Sequence, residues 1–341
     1  MKLRYLIIFI IAGTLLLQSC KDNTTNPSTS NHNMTQVGKY DTPGYAEGVS
    51  VMVVNPYTAC FVADGPGGME ILNMNIPTAP TLISSFSTPG NAINITTGQI
   101  NNDYFAFLSC DNQGLDIIKV TSPTNPVIDT VLNFSNNRVI CSYADVTNKY
   151  LYIGTYNGIM YIYSLANLPG QVTQVGNYQT YGSVPLLSIT LNSTLAYLAE
   201  GSIGLEIVNV SNPSNPNVIS GFPASGLYFN DVKVYGLYAY IAAGDRMINL
   251  NINNPFTPQF VSSYSNGNAG YYSLAVNSTN VYAAEGSNGT EILSYATQST
   301  PLQLGYYKTG DLALGIFFHV TSGNIYIADG SDGVLIFKYS N

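Results

Sequence analysis

The amino-acid sequence predicts an all-β protein: a seven-bladed β-propeller with four antiparallel strands per blade. A unit of about 44 residues recurs seven times, and each copy holds four short apolar stretches separated by turns rich in Gly and Pro. No helical periodicity appears after residue 20. Four-stranded units stacked in a closed ring leave only short sheet edges exposed, so a propeller is the architecture that this repeat favours.

Composition narrows the class of protein. The chain has 341 residues, of which 45% are apolar and 9% are charged, so it is too apolar and too weakly charged for disorder. A formal net charge of −8 makes nucleic acid an unsuitable partner. Only two histidines are present, His32 and His319, which excludes a His-based metal cluster and a Ser-His-Asp triad. We therefore expect no metal and no cofactor.

Residues 1–19 predict a lipoprotein signal peptide. Two basic residues, Lys2 and Arg4, precede an apolar run of about a dozen residues, which is shorter than the 20 or so needed to span a bilayer. The run ends in Leu-Gln-Ser-Cys20, which resembles a bacterial lipobox and implies a lipid on Cys20. The alternative is an ordinary signal peptide with an incidental cysteine.

Residues 20–34 are polar and without periodicity, which is typical of a flexible tether. Lys21 and Asp22 follow the cysteine directly and resemble the short export signals of some Bacteroidota surface lipoproteins. We expect a protein bound to a membrane through its N-terminal lipid, in the cell envelope at the outer membrane, with exposure at the cell surface favoured over the periplasmic leaflet.

Each repeat has the same internal order. An apolar strand leads into a turn of the form acid-Gly-x-x-Gly, whose glycines suit the positive φ angles of a tight hairpin. A second strand, a Pro-x-x-Pro linker, a third strand and a fourth strand follow, and proline marks the strand ends. The anchor positions of the seven turns are Asp64, Asp111, Thr155, Glu200, Ala243, Glu285 and Asp329.

The units resemble the LVIVD-repeat family of bacterial propellers. The closest copies are Leu115-Asp-Ile-Ile-Lys-Val120 and Leu205-Glu-Ile-Val-Asn-Val210, and the preceding acid-Gly and the following Ser-Asn-Pro segments match as well. The resemblance implies one propeller domain over residues 35–341. Units three and five depart from the pattern, since Thr155 and Ala243 stand where the acid is expected.

The two ends of the repeat predict how the ring closes. The first strand pattern, residues 36–40, copies the third strand of a unit, whereas the last unit stops after its second strand, residues 333–337. We therefore expect residues 36–40 to complete the seventh blade as its outer strand.

The repeated turn acids have two interpretations. Asp64, Asp111, Glu200, Glu285 and Asp329 could form a partial ring of carboxylates that holds a cation or a cationic partner. Alternatively, each carboxylate accepts hydrogen bonds from the amides of its own turn. An acid that recurs at equivalent positions of the repeats is typical of a residue that maintains the fold, so the structural interpretation is favoured.

Tyrosines form the candidate binding face. Six of them lie in or near the loops that lead into the innermost strands, where they could stack on sugar rings or anchor a protein. They are Tyr45, Tyr143, Tyr181, Tyr228, Tyr271 and Tyr272. The alternative is that they only cover the ends of the cores between blades.

Apart from Cys20, three cysteines remain, and we expect them to be buried thiols. A disulfide between Cys110 and Cys141 is the alternative.

The sequence thus favours a non-catalytic binding or scaffold module, monomeric, with a protein or a glycan as its partner. A polysaccharide hydrolase or lyase that uses carboxylates at the channel mouth is the competing hypothesis, although no cluster of acids breaks the repeat. A purely structural role in an envelope assembly is a third.

Overall fold

The computed structural model describes residues 33–134, 137–268 and 270–340. The predicted signal peptide, Cys20 and all but the last two residues of the predicted tether lie outside them. The described chain forms 28 strands in seven four-stranded antiparallel sheets. Its only helical element is one 3₁₀ turn, Tyr181–Ser183. The predicted seven-bladed propeller is therefore confirmed, and none of the described helices is long and apolar enough to cross a membrane.

Six blades are built from strands that follow one another along the chain. Blade 1 contains β2 (Gly48–Val54), β3 (Tyr57–Ala63), β4 (Met69–Asn73) and β5 (Thr81–Phe86). Blade 2 contains β6 (Asn94–Ile100), β7 (Asp103–Ser109), β8 (Leu115–Lys119) and β9 (Val127–Leu132). Blade 3 contains β10 (Val139–Asp145), β11 (Tyr150–Thr155), β12 (Ile159–Asn167) and β13 (Gln171–Gln179).

The next three blades repeat this order from the inner strand to the outer strand. Blade 4 contains β14 (Ser188–Asn192), β15 (Leu195–Ala199), β16 (Gly204–Asn209) and β17 (Asn217–Pro223). Blade 5 contains β18 (Asp231–Tyr235), β19 (Tyr238–Ala242), β20 (Met247–Asn251) and β21 (Gln259–Tyr264). Blade 6 contains β22 (Ser273–Val276), β23 (Asn280–Ala284), β24 (Thr290–Ser294) and β25 (Leu302–Tyr307).

Blade 7 joins the two ends of the described chain. Three of its strands are β26 (Gly315–His319), β27 (Asn324–Ala328) and β28 (Val334–Tyr339), and its outer strand is β1 (Met34–Tyr40). β1 runs antiparallel to β28, with Met34 opposite Tyr339 and Tyr40 opposite Val334. The predicted closure is confirmed, and the closing strand begins two residues earlier than the sequence pattern indicated.

The hydrophobic core is divided among the junctions between blades. Seven buried clusters lie in the structure, and each one is filled by side chains from two neighbouring blades. Between blades 4 and 5, for example, Ile207 packs with Phe229 and Ile241. Because alternate side chains of a strand point to opposite faces, each sheet supplies both of its junctions. Burial of apolar surface between blades therefore holds the ring together.

A second contact between blades explains the Pro-rich linkers. At one β-bulge position the outer strand carries a small residue that meets the linker of the next blade. Ser84 and Ser220 donate a hydrogen bond from Oγ to the carbonyl oxygens of Pro123 (2.6 Å) and Pro255 (2.5 Å). Gly176 occupies the equivalent position, where a Cβ atom would lie 2.0 Å from the Pro213 carbonyl oxygen. The linkers thus present a carbonyl group to the preceding blade.

The cysteines Cys60, Cys110 and Cys141 are free and buried. The buried-thiol prediction is confirmed, and Cys110 and Cys141 do not pair. Burial raises the pKa of the Cys110 and Cys141 thiols to about 12, so neither is a reactive thiolate near neutral pH.

Candidate functional site: the acid-turn face and the channel mouth

One face of the ring carries both the repeated turns and the loops that lead into the inner strands. Six of the seven turns meet the leading loop of the following blade through a backbone bridge, as between Gly201 and Phe229 and between Gly286 and Ala313. We call this surface the acid-turn face. The turns and the leading loops therefore lie on the same side of the ring.

Four of the anchor acids are buried within this face. Asp64, Glu200, Glu285 and Asp329 are almost inaccessible to solvent. Asp64 Oδ2 accepts a hydrogen bond from the Gly44 amide (2.7 Å), and Asp329 Oδ2 accepts one from the Asp311 amide (3.2 Å). Both donors belong to the leading loop of the same blade. The prediction that each carboxylate accepts hydrogen bonds from the amides of its own turn is therefore wrong for these two acids. These carboxyl groups therefore fix the loops around the channel mouth.

Asp111 does not occupy the anchor position of its blade. Ser109 pairs with Asn94 at the place where Ala199 pairs with Ser188, and the Cys110 amide closes the turn on Gly114, so the buried anchor of blade 2 is Cys110. Asp111 stands one residue later, in the left-handed conformation (φ +50°) that glycine takes in other turns. Its side chain points outward and forms an ion pair with Arg138.

A second set of acids, which the sequence analysis did not single out, lies beside the anchors on the adjoining strand. These are Glu70, Asp116, Glu206 and Glu291, all buried, in blades 1, 2, 4 and 6. The signal is present in the sequence as an acid six residues after four of the seven anchor positions, those of blades 1, 2, 4 and 6. The sequence does not show that these acids are buried, because a strand pattern alone does not distinguish a buried carboxyl group from a solvated one.

The buried acid pairs hold protons. Burial, and then the neighbouring Glu206 carboxyl, raise the pKa of Glu200 to about 10. Burial likewise raises the pKa of both Glu285 and Glu291. Glu206 Oε2 accepts a hydrogen bond from the Tyr178 hydroxyl of the neighbouring blade (3.0 Å). Because burial and a neighbouring carboxyl group favour the protonated form of Glu200 and Glu285, these turn acids do not form a ring of negative charge.

The described acids do not form a metal centre either. No group of three or more Asp, Glu, His or Cys side chains within residues 33–134, 137–268 and 270–340 comes together closely enough to hold a metal ion. The pairs Glu200–Glu206 and Glu285–Glu291 supply two carboxyl groups each, separated from one another by a blade. Their geometry suits the structural interpretation of the turn acids.

Three candidate tyrosines lie on the glycine turns around the channel mouth. They are Tyr45, Tyr228 and Tyr272, and they lie against Gly330, Gly201 and Gly286 respectively. At Gly201 a Cβ atom would come within 2.7 Å of the Tyr228 ring, and the backbone has φ +51°, so only glycine fits beneath the ring. Tyr228 and Tyr272 are each 46% exposed, and Tyr181 is 74% exposed.

The other two candidates occupy different places. Tyr271 is completely buried, and its hydroxyl donates a hydrogen bond to Glu291, so it is closed to a partner. Tyr143 lines the central channel. Tyr156, which the sequence analysis did not select, is half exposed on the acid-turn face, and its ring lies 5.3 Å from the Arg138 guanidinium. That distance is within the range of a cation–π contact.

The channel mouth is lined by one residue from the start of each inner strand. These residues are Glu47, Ile93, Ile140, Leu187, Asn230, Tyr272 and Leu314. Glu47 is the acid among the seven. Burial, and then the charge of Asp111, raise its pKa to about 7, although the nearby Arg138 opposes this. The mouth is therefore mostly apolar, with one carboxyl group that titrates near neutral pH.

Below the mouth, one acid and one base share the channel wall of blade 5. Asp231 accepts hydrogen bonds from Ser188 Oγ (2.5 Å), Lys233 Nζ (2.5 Å) and the Leu274 amide (2.8 Å). These three donors come from blades 4, 5 and 6. The carboxylate thus ties three neighbouring inner strands together.

Seven four-stranded sheets arranged in a closed ring around a central channel define the protein as a β-propeller. The LVIVD repeat model matches residues 188–222 and 228–266, which coincide with blades 4 and 5.

The likeness to solved structures shows the fold alone. A chain of the crystal structure of a mitotic checkpoint complex superimposes with a TM-score of 0.72, over 92% of this chain and 96% of that chain, at 15% sequence identity. In all, 1553 chains of solved structures match. A fold shared so widely does not select a function. No curated protein matches the sequence.

Proposed function

We propose that the protein is a monomeric, non-catalytic binding module, held in the cell envelope by a lipid on Cys20, whose acid-turn face binds a protein or glycan partner. The observation that carries this proposal is the set of half-exposed tyrosine rings fixed on glycine turns around the channel mouth. A ring already held against the backbone loses little freedom on binding, and tyrosine offers both apolar area and a hydroxyl group.

The buried acids support the same proposal. Asp64 fixes the leading loop on which Tyr45 sits, through the Gly44 amide, and the anchor acids Asp64, Glu200, Glu285 and Asp329 are buried away from a partner. The acid-turn face therefore presents aromatic rings held on a rigid base, which is the arrangement of a recognition surface.

One observation favours the competing hydrolase or lyase. Glu47 lines the channel mouth with a pKa of about 7, which suits a general acid. Glycoside hydrolysis of the usual kind needs a second, available carboxylate. The other carboxylate of the channel is Asp231, which is engaged by Ser188, Lys233 and the Leu274 amide. The binding function is therefore the better supported of the two.

The proposal is tested with the full chain immobilised and exposed to a cell-envelope fraction. The double variant Tyr228→Ala/Tyr272→Ala should weaken retention of the bound component at least tenfold, as expected for aromatic anchors. The matched control is Tyr235→Ala: Tyr235 is 47% exposed but lies at the β18–β19 hairpin on the opposite face. Pretreating the fraction with protease or with periodate distinguishes a protein from a glycan. Equal retention by both variants, or loss only in the control, would contradict the proposal.

A further inference from the structure

The central channel has the size of a small-molecule site. Its volume is about 560 Å³, and it is lined by residues from all seven inner strands. Small-molecule sites in proteins have volumes of roughly 300–1,000 Å³. Tyr272 lines the mouth of this channel, whereas Tyr45 and Tyr228 lie outside it, so a variant of Tyr228 separates the channel's ligand from the partner of the acid-turn face.

The charges of the channel nearly cancel. The charged side chains among its described lining residues are Glu47, Asp231 and Lys233. Asp231 and Lys233 form an ion pair whose Nζ–Oδ1 distance is 2.5 Å. Glu47 titrates near neutral pH because burial raises its pKa to about 7. An anionic ligand would therefore lose its hydration without gaining a free positive charge, and a cationic ligand would meet only the partly protonated carboxyl group of Glu47.

Hydroxyl groups line the wall in pairs. Ser50 Oγ and Thr97 Oγ1 lie 2.8 Å apart, and Thr96 Oγ1 and Ser142 Oγ lie 3.3 Å apart. Each pair shares one hydrogen, so each keeps a second O–H group and unused lone pairs. The wall therefore offers donors and acceptors side by side.

Two further groups have unused hydrogen-bonding capacity. Asn94 Oδ1 is a buried acceptor without a hydrogen-bond partner in the structure. The Lys233 ammonium donates one hydrogen to Asp231 and has two more. A buried acceptor without a partner costs free energy. Because Asn94 Oδ1 is closed to solvent, the side chain must turn toward the channel to meet a ligand donor, and the hydrogen bond formed there recovers that cost.

We propose that the channel binds a neutral polyhydroxylated molecule of monosaccharide to disaccharide size, which enters from the acid-turn face. Each hydroxyl group of such a ligand can donate one hydrogen bond and accept another, which complements the donors and acceptors of the Ser and Thr pairs. Its C–H faces suit the aromatic rings of Tyr272 at the mouth and Phe317 in the wall. Asn94 Oδ1 takes a ligand hydroxyl hydrogen, and Lys233 donates to a ligand oxygen.

The test is calorimetric titration of the full chain with a panel of neutral monosaccharides and disaccharides, beside glucuronate and glucosamine as charged analogues. We expect saturable binding of at least one neutral sugar, at least tenfold tighter than either charged analogue. Absence of saturation across the neutral panel, or tighter binding of a charged analogue, would overturn the proposal.

Two near-isosteric variants assign the site. Asn94→Leu removes the acceptor that has no partner, and Thr97→Val removes one hydroxyl. Each should weaken sugar binding at least tenfold, and Asn94→Leu should melt no lower than wild type because a costly buried acceptor is gone. Thr147→Val, on an exposed hairpin at the opposite face, is the control. Unchanged affinity in both folded channel variants would refute the assignment.

The same titration separates this site from the acid-turn face. Tyr228 does not line the channel, so Tyr228→Ala should leave sugar affinity unchanged whether or not that face binds a macromolecule. Loss of sugar binding in Tyr228→Ala would place the sugar outside the channel and contradict the proposal.

Discussion

Replacing Glu200 by glutamine should change how stability depends on pH. Glu200 is buried beside Glu206, and its pKa in the folded protein is about 10, against an ordinary value of 4.5. The folded state therefore binds a proton that the unfolded chain has lost above pH 5 or so. Because the folded pKa is raised, this contribution to stability is complete below pH 4.5 and is lost as pH rises toward 10.

The magnitude follows from the pH interval. Between pH 5 and pH 7.5 the unfolded chain releases the Glu200 proton and the folded protein keeps it. At about 1.4 kcal/mol per pH unit, wild type loses about 3 kcal/mol of unfolding free energy from this group. Glutamine is neutral at every pH and cannot contribute that slope. The stability of Glu200→Gln relative to wild type should therefore rise by about 3 kcal/mol over the interval.

Urea denaturation of both proteins at pH 5 and pH 7.5 measures this difference. Asp245→Asn is the control. Asp245 is an exposed acid whose pKa is lowered by its hydrogen bond to Arg246, so its contribution to the free energy of unfolding rises with pH instead of falling. A change below about 1 kcal/mol in the relative stability of Glu200→Gln, between the two pH values, would refute the reasoning that the acid pair is protonated.

Three further predictions concern the ends and the turns. Deleting residues 34–40 should lower the melting temperature clearly, since it removes the outer strand of blade 7 and leaves β28 as an unpaired edge, whereas deleting 21–32 should change it little; equal effects would contradict the closure. Metabolic labelling with an alkyne fatty acid should tag wild type and miss Cys20→Ala, and equal labelling would contradict the lipid anchor. Asp329→Ala should lose about 0.5–2 kcal/mol because the Asp311 amide loses its acceptor, and added Ca²⁺ should not shift the wild-type melting temperature; a calcium-dependent rise that Asp329→Ala abolishes would favour a cation site.

The fold was predictable because the sequence contains seven copies of one structural unit. Hydrophobic alternation and turn glycines recur along the repeats, and four units add a Pro-x-x-Pro linker, so a departure in one copy does not obscure the pattern. The outer strand of blade 7 was predictable for the same reason, since residues 36–40 copy a strand that the last unit lacks. The role of the linker carbonyl groups could not be predicted, because it depends on the contacts that Ser84 and Gly176 make with the linker of the next blade.

The candidate site was predictable only in part. The sequence located the acid-turn face and its tyrosines, yet it could not separate Tyr271 from Tyr272, because one residue along a strand reverses the face to which a side chain points. Asp111 shows a related limit: an acid one residue later in the turn looks alike in sequence and has an opposite environment in the structure. The environment of Glu206, beside Glu200, also depends on a contact between blades, because Tyr178 of blade 3 donates a hydrogen bond to Glu206 of blade 4.

Tyrosine footprinting tests the central claim, that the acid-turn face is the binding surface, without knowledge of the partner. The full chain would be oxidised or iodinated alone and in the presence of a cell-envelope fraction, and modification would be read at each exposed tyrosine by mass spectrometry. We predict that the fraction protects Tyr45, Tyr228 and Tyr272 and leaves Tyr235 as reactive as before. Protection of Tyr235 alone, or equal reactivity of all four with and without the fraction, would contradict the claim.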